Sequence, residues 1–356
     1  MRGEVLDLSG EYTAMHGAKV MVVDDSAAMR ALFCDILEQA PNVTVVGTAA
    51  SAEAARDQIT QLRPNVLTLD VEMPGMSGIE FLEEIMSTNP LPVVMLSGLT
   101  QSGTEVSLKA YDLGAVECFP KPLKATPEQF AKDVSKLGKI VLAAANSNVR
   151  DRPRRRANAA SASPFVWNGR IAAFSASMGG IDALTDILSH WPANCPPTII
   201  TLQAEPALVD TLIARLDREL GCAVRAASDG SALEQGTVLF AADPGKHAVF
   251  EAGQPPRIRL IERDAIDGVR PSANLLFGTI ARAGVAAAGA VLTGLGEDGA
   301  KGLKMMRDAG CDTFAQDRAS ATVSQAPAAA IAMGGAGQEL ALDAMIAAIL
   351  KSCSAG

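Results

Sequence analysis

Lys19-Val20-Met21-Val22-Val23-Asp24-Asp25-Ser26 is a short apolar run that ends in two acids, and Asn65-Val66-Leu67-Thr68-Leu69-Asp70-Val71-Glu72-Met73-Pro74-Gly75 repeats the arrangement further along the chain. Runs of this kind, closed by turn formers, predict buried parallel strands. In a parallel α/β sheet the carboxyl ends of neighbouring strands open into one crevice, so Asp24, Asp25 and Asp70 are expected to converge. Three carboxylates in one pocket repel each other unless a cation joins them, and an all-oxygen donor set with room for water suits Mg²⁺. The pocket reads as a metal-assisted phosphoryl acceptor.

Two later phrases extend the same sheet. Pro92-Val93-Val94-Met95-Leu96-Ser97-Gly98 puts a hydroxyl at the tip of a fourth strand, and Gly114-Ala115-Val116-Glu117-Cys118-Phe119-Pro120-Lys121-Pro122 puts an ammonium at the tip of a fifth. Lys121 can pair with phosphoryl oxygens and Ser97 can hydrogen-bond one. With these elements in this order, residues 18–136 resemble a response-regulator receiver domain. The resemblance implies a flavodoxin-like doubly wound sheet and phosphorylation of Asp70 by a histidine kinase. It also implies Mg²⁺ held by Asp25, Asp70 and the backbone carbonyl of Glu72, with Asp24 beside them, and a switch formed by Ser97 and Lys121. Cys118 stands where receivers usually carry an aromatic side chain that moves with the Ser97-type hydroxyl, so that part of the switch is expected to differ.

The chain of 356 residues has room for a second domain. No apolar stretch approaches the roughly 20 residues that span a bilayer, and residues 1–17 lack the basic start and apolar core of a secretory signal. A soluble, cytoplasmic protein with a loose N-terminal extension and no membrane insertion is expected. The six cysteines are scattered without zinc-site or disulfide-scaffold spacing and read as buried thiols. A net charge of −9 argues against a chain built to coat nucleic acid. Arg150-Asp151-Arg152-Pro153-Arg154-Arg155-Arg156 and the small polar residues after it read as a solvated hinge, and a flexible linker is placed at residues 137–165.

Beyond the linker, strands and helices alternate again. Arg170-Ile171-Ala172-Ala173-Phe174 is a predicted strand, Ser175-Ala176-Ser177-Met178-Gly179-Gly180 a tight turn, and the residues from Ile181 to Leu188 have the spacing of a helix. A serine at such a turn sits near the positive end of the helix dipole, although phosphate-binding and purely structural turns look alike. A second strand, loop and helix follows in Ala290-Val291-Leu292-Thr293-Gly294-Leu295-Gly296-Glu297-Asp298-Gly299. Its glycines can present backbone amides to an oxyanion while Asp298 orients a basic partner. Serine followed by a later aspartate suggests a triad, and a histidine should lie between them.

Residues 166–352 resemble the catalytic domain of chemotaxis protein-glutamate methylesterases, which in that family follows a receiver. The shared phrases are Ala176-Ser177-x-Gly179-Gly180, Pro244-Gly245-x-His247, Arg270-Pro271-Ser272, Thr293-Gly294-x-Gly296-x-Asp298-Gly299 and Ala315-Gln316-Asp317. The resemblance implies a Rossmann-like doubly wound sheet and hydrolysis of methyl esters on glutamates of chemoreceptor cytoplasmic domains, with deamidation of receptor glutamines. Ser177 matches the nucleophile and Asp298 the acid. The histidine does not match: where the family reads Gln-His-Met-Pro, this chain reads Gln203-Ala204-Glu205-Pro206. Met178, Ser175, Leu295, Asn274 and Gln325-Ala326-Pro327 also depart from the family pattern around the same pocket.

A serine hydroxyl is a poor nucleophile until a base removes its proton. Two readings therefore stand for an α/β protein of two doubly wound parallel-sheet domains. One is a phosphorylation-gated methylesterase, catalytically impaired by Ala204, with a histidine kinase as phosphodonor and chemoreceptors as partners. The other is a phospho-dependent binding protein or phosphate sink with no ester chemistry. Rescue of the missing base by His247 or Glu205 is the open alternative to impairment.

Overall fold

The computed structural model describes residues 4–6, 12–14, 16–98, 101–121, 127–149 and 165–355. The basic run at residues 150–156 and the small polar residues after it, to Pro164, lie outside them. The chain divides into two compact units, Met1–Asp151 and Arg152–Gly356.

In the first unit, β1 (Glu4–Leu6) and β2 (Tyr12–Ala14) pair as an antiparallel ladder within the extension that was expected to be loose. The main sheet comprises β3 (Ala18–Val23), β4 (Val43–Ala49), β5 (Val66–Asp70), β6 (Val93–Ser97) and β7 (Glu117–Pro120), all parallel in the order β4-β3-β5-β6-β7. Helices α1 (Ala27–Glu38), α2 (Ala52–Leu62), α3 (Gly78–Thr88), α4 (Gln101–Asp112) and α5 (Pro127–Ala145) cross between or follow the strands. Every residue of β5 and β6 is buried, as a parallel strand covered on both faces must be. Serines open three of the helices: Ser26, Ser51 and Ser77 each accept a backbone N–H of the first turn, and Ser77 forms a reciprocal capping box with Glu80.

Residues 137–145, expected to open the linker, belong to α5. Leu137, Ile140, Val141 and Ala144 are buried, a stripe at helical spacing that packs α5 on α1 and the sheet.

The second unit is built on β8 (Ile171–Ala176), β9 (Thr198–Leu202), β10 (Ala223–Ala226), β11 (Ser231–Ala232), β12 (Thr237–Ala241), β13 (His247–Glu251), β14 (Arg257–Ile261), β15 (Ala287–Val291), β16 (Asp312–Gln316) and β17 (Gln338–Leu340). Seven of these form one parallel sheet in the order β10-β12-β9-β8-β15-β16-β17. The sheet is flanked by α6 (Gly180–Ser189), α7 (Pro206–Glu219), α8 (Ala273–Ala283), α9 (Ala300–Asp308), α10 (Gln325–Ala332) and α11 (Leu342–Ser352). The remaining strands make a small antiparallel sheet, β11-β14-β13. Winding runs from β8 to β9 on one side and resumes at β15 on the other. That reversal is the topological switch point where such sheets open a crevice. The cysteines are all free thiols: Cys195, Cys222, Cys311 and Cys353 are buried as expected, whereas Cys34 and Cys118 are half-buried. No helix among the described residues is long and apolar enough to cross a membrane.

Candidate functional site

Each unit places a polar cluster at its own switch point. In the first, Asp24 and Asp25 follow β3, and Asp70 ends the neighbouring β5. One carboxylate oxygen from each lies within 4.8 Å of the others; Asp24 and Asp70 are buried and Asp25 is exposed. Lys121, just past β7, reaches into the cluster with its Nζ 2.7 Å from Asp70 Oδ2 and 2.9 Å from Asp24 Oδ2. Burial pushes the Asp70 carboxyl above its ordinary range, and Lys121 opposes that shift. Burial alone pulls the Lys121 ammonium down, but its hydrogen bonds to Asp70 and Asp24 outweigh it and hold the lysine above the usual value.

The backbone is held as closely as the side chains. Asp70 Oδ1 accepts the Glu72 N–H at 3.2 Å, and Asp24 Oδ1 accepts the Ser26 N–H at 2.9 Å. A Cβ on Gly78 would fall 1.8 Å from the Asp70 carbonyl oxygen, so only glycine lets α3 start against the end of β5. Three convergent oxygen donors with one face open to solvent fit a hard divalent cation such as Mg²⁺. Asp25 and Asp70 would hold it, while Lys121 sits where it can meet an anion on Asp70. Ser97 closes β6 beside them, buried, with its Oγ accepting from Ser107 Oγ at 3.3 Å.

In the second unit, Ser177 follows β8. Its N–H donates to the Thr293 carbonyl at 3.2 Å, and its Oγ accepts the Leu295 N–H at 3.0 Å. A Cβ on Gly294 would fall 2.3 Å from Ser177 Oγ, so the loop after β15 passes this hydroxyl at backbone distance. Gln325 Oε1 accepts the next amide, Gly296 N–H, at 3.1 Å. The sheet register carries residue 203 alongside, through Gln203 N–H to the Ala176 carbonyl at 3.2 Å. Ala204 comes next, between β9 and α7.

Asp298 lies in the same narrow pocket as Ser177 and Gln203. Its Oδ1 accepts Ser272 Oγ–H at 2.7 Å and Asn274 N–H at 3.1 Å, and its Oδ2 accepts Ala273 N–H at 2.7 Å and Gln203 Nε2–H at 3.1 Å. Four donors thus converge on one carboxylate, two of them first-turn amides of α8. Gln203 and Ser272 stand out in the sequence only as parts of family phrases; nothing in their spacing says that both turn toward Asp298.

Within the second unit, both histidine rings have partners other than Ser177. His16 belongs to the first unit. His190 caps the far end of α6, with Nδ1 bonded to Ser189 Oγ and the Asp186 carbonyl. His247 is fully buried; its Nδ1 accepts the Ser272 N–H at 3.1 Å, which leaves the proton on Nε2 to donate to the Asp264 carbonyl at 3.1 Å. No lone pair of His247 is left to take a proton from Ser177. Two departures from the family pattern also find a structural use. Asn274 Oδ1 accepts Gly299 N–H and Gly302 N–H, a task needing only an acceptor, and Leu295 reaches Ser177 through its backbone.

Residues 20–132 match the response regulator receiver domain family, and residues 172–349 match the CheB methylesterase family. The chain is 42% identical over 344 residues to a protein-glutamate methylesterase/protein-glutamine glutaminase of Caulobacter vibrioides, spanning 95% of this chain and 98% of that one. It is 40% identical over 344 residues to the protein of the same name from Agrobacterium fabrum, with 95% and 97% covered. A Pseudomonas aeruginosa relative is 38% identical over 343 residues, with 94% and 97% covered. End-to-end similarity of this kind, over both domains in the same order, places the chain in the CheB protein-glutamate methylesterase family, with a response-regulator receiver ahead of the methylesterase domain.

Proposed function

We propose that this protein is a phosphorylation-gated chemotaxis regulator of the methylesterase type whose ester hydrolysis is impaired. The observation that carries this reading is the arrangement around Asp298: its carboxylate is fully engaged by Ser272, Ala273, Asn274 and Gln203, and the residue that follows Gln203 is alanine. In a serine triad the acid orients an imidazole, which takes the nucleophile's proton and later returns it to the leaving group. Here the acid orients an amide and a helix start. Ser177 keeps its proton, while the Leu295 N–H beside it supplies a hydrogen bond of the kind that stabilises an oxyanion. In subtilisin, loss of the histidine costs about 10⁶ in kcat, and a similar loss here makes turnover negligible.

In the receiver, Asp70 is the phosphoryl acceptor. Its carboxylate attacks the phosphorus of a phosphohistidine on a histidine kinase, forming an acyl phosphate as the P–N bond breaks and the imidazole leaves, and Lys121 meets the added charge. Asp25, Asp70 and the Glu72 carbonyl, with Asp24 beside them, would hold Mg²⁺, which would supply neutralisation of the phosphoryl oxygens; Ser97 is placed to hydrogen-bond one of them. The substrate face is that of the relatives, methylated glutamates and certain glutamines of chemoreceptors. Methanol release from radiolabelled methylated receptor membranes, with the protein treated or untreated with acetyl phosphate, tests the reading. Label is expected on Asp70 only with Mg²⁺ present and is lost in Asp70→Asn, and methanol release stays near background in both states. Robust release that rises on phosphorylation overturns the impairment.

A further inference from the structure

Cys195 and Cys222 stand far apart in the sequence and share no spacing motif, yet the fold brings them together where three neighbouring strands begin. Cys195 lies in the turn before β9 and Cys222 immediately before β10, and β12 runs between those two strands. Gly236, just ahead of β12, is tied to both sides. Its N–H donates to the Cys195 carbonyl at 2.8 Å, and its carbonyl accepts the Ala223 N–H at 2.9 Å. The turn also approaches at backbone distance: a Cβ on Gly221 would fall 3.1 Å from Ala193 Cβ, and one on Gly236 3.1 Å from the Ala193 carbonyl oxygen.

Within this frame the two free thiols meet. The Cys195 S–H donates to Cys222 Sγ, which lowers the Cys222 thiol against the opposing effect of burial and raises that of Cys195. The Cys118 and Cys311 thiols, by contrast, donate to the Ser107 and Val285 carbonyls, so their protons go to the backbone. Both Cys195 and Cys222 are buried, but Ala193, Asn194 and Gly221 beside them are exposed, and a molecule as small as a peroxide has a short path inward. A nucleophilic thiolate with a second thiol next to it is the arrangement in which a sulfenic acid, once formed, is resolved to a disulfide.

We propose that Cys195 and Cys222 are a reversible oxidation site, converted by hydrogen peroxide to a disulfide that closes the segment between them. Cys222 attacks first. Its thiolate bonds to one peroxide oxygen, the O–O bond breaks, and the departing hydroxide takes up the thiol's proton as water, leaving Cys222 a sulfenic acid. The Cys195 sulfur then attacks the Cys222 sulfur; the S–S bond forms as the S–O bond breaks, and the second hydroxide leaves as water with the Cys195 proton. In all, the thiols lose two electrons and two protons, and the peroxide is reduced to water. A dithiol reductant reverses the bond by exchange. The closed segment contains β9, Gln203, Ala204 and α7, so the bond pins both ends of the element whose Gln203 holds Asp298.

Peptide mapping of the full chain without reductant tests it. Trypsin places Cys195 on residues 171–215 and Cys222 on residues 219–225, so the disulfide joins two peptides that otherwise separate. After hydrogen peroxide the folded chain is expected to yield the joined pair, two hydrogens lighter than its parts, and dithiothreitol should release it. Cys195→Ala should leave Cys222 as a sulfenic acid that dimedone traps, and Cys222→Ala should leave Cys195 untrapped. The oxidised second domain should melt about 5–10 °C above the reduced one, as closure of a loop this long predicts. Four results overturn the proposal: both thiols still open to alkylation after peroxide, a joined pair formed only in urea, dimedone on Cys195 in Cys222→Ala, or an oxidised domain that melts no higher than the reduced one. The wild-type map decides the bond even where a variant fails to fold.

Discussion

Gln203 donates its Nε2–H to Asp298 Oδ2 at 3.1 Å, the contact through which the acid of this site holds a neighbouring strand end. In a triad that oxygen would hold an imidazole. The amide gives Asp298 a structural task, tying the end of β9 to the start of α8, and gives Ser177 nothing basic. Asp298 and Ser177 share one pocket, the Leu295 amide donates to the Ser177 hydroxyl, and position 204 carries only a methyl group.

Asp298→Asn should destabilise the second domain. The asparagine oxygen replaces a carboxylate that accepts four hydrogen bonds, and its own NH₂ points a donor at donors. Buried donors left without acceptors, two of them at a helix start, cost on the order of 2–3 kcal/mol in all. Calorimetry of the full chain should find the Tm of the methylesterase domain lower by roughly 4–10 °C. A shift within about 1 °C would mean that the Asp298 contacts are dispensable.

Glu117→Gln should change how receiver stability depends on pH. Burial raises the Glu117 carboxyl above its ordinary 4.5, outweighing the hydrogen bonds from Tyr111 and Cys118. A group whose folded value is raised contributes stability below its unfolded value and loses it as pH rises through the folded one. Wild type therefore loses ground to Glu117→Gln between about pH 4.5 and the raised value. Above that the gap is constant. The glutamine oxygen can still accept from Tyr111, so the comparison isolates the charge. Urea melts of both proteins at several pH values check it; a gap that widens toward acid contradicts the assignment.

Much of the architecture was legible because parallel strands announce themselves. The apolar runs ending at Asp24, Asp70 and Ser97 are the buried strands β3, β5 and β6, and their last residues meet because strand ends of one sheet must. The end of α5 was also written in the chain, at positions 137, 140, 141 and 144, but its alanines resemble linker composition and hid the stripe. What could not be read was anything that depends on which way a polar side chain turns. Asp298 is met by backbone amides of α8, whose residue types carry no signal. The Tyr111 to Glu117 contact exists only once α4 docks on β7.

Gly294→Ala should be tolerated only when Ser177 is trimmed. The new methyl carbon falls 2.3 Å from Ser177 Oγ, but 3.3 Å from Ser177 N and 3.4 Å from Ser177 Cβ. Overpacking of this kind costs about 1–3 kcal/mol. In Ser177→Ala the offending atom is gone and the remaining contacts, at 3.3 and 3.4 Å, need a shift of only a few tenths of an ångström, so the double variant should recover most of that loss. A double-mutant cycle by thermal melting reads the coupling; additive effects would show that the loop moves away freely.

Ala204→His is the decisive change for the second domain. Residue 204 follows Gln203, whose backbone is bonded to the end of β8 just before Ser177, so an imidazole here is carried on the strand next to the hydroxyl it must serve. One obstacle is visible. Asp298 already accepts four donors, so Gln203 must release Oδ2 before the acid can orient a ring. Met178, the buried residue next to Ser177 in the chain, departs from the family pattern, and Met178→Thr replaces it with a smaller side chain. A positioned general base is worth roughly 10²–10⁴ in rate, and Ala204→His with Met178→Thr should raise methanol release from methylated receptor membranes by that order. Adding Ser177→Ala should return the activity to background. The unaltered protein should be slow, and Ser177→Ala should barely change it. Strong unaltered turnover that Ser177→Ala abolishes would mean that another group, with Glu205 the nearest carboxylate in sequence, is already acting as the base.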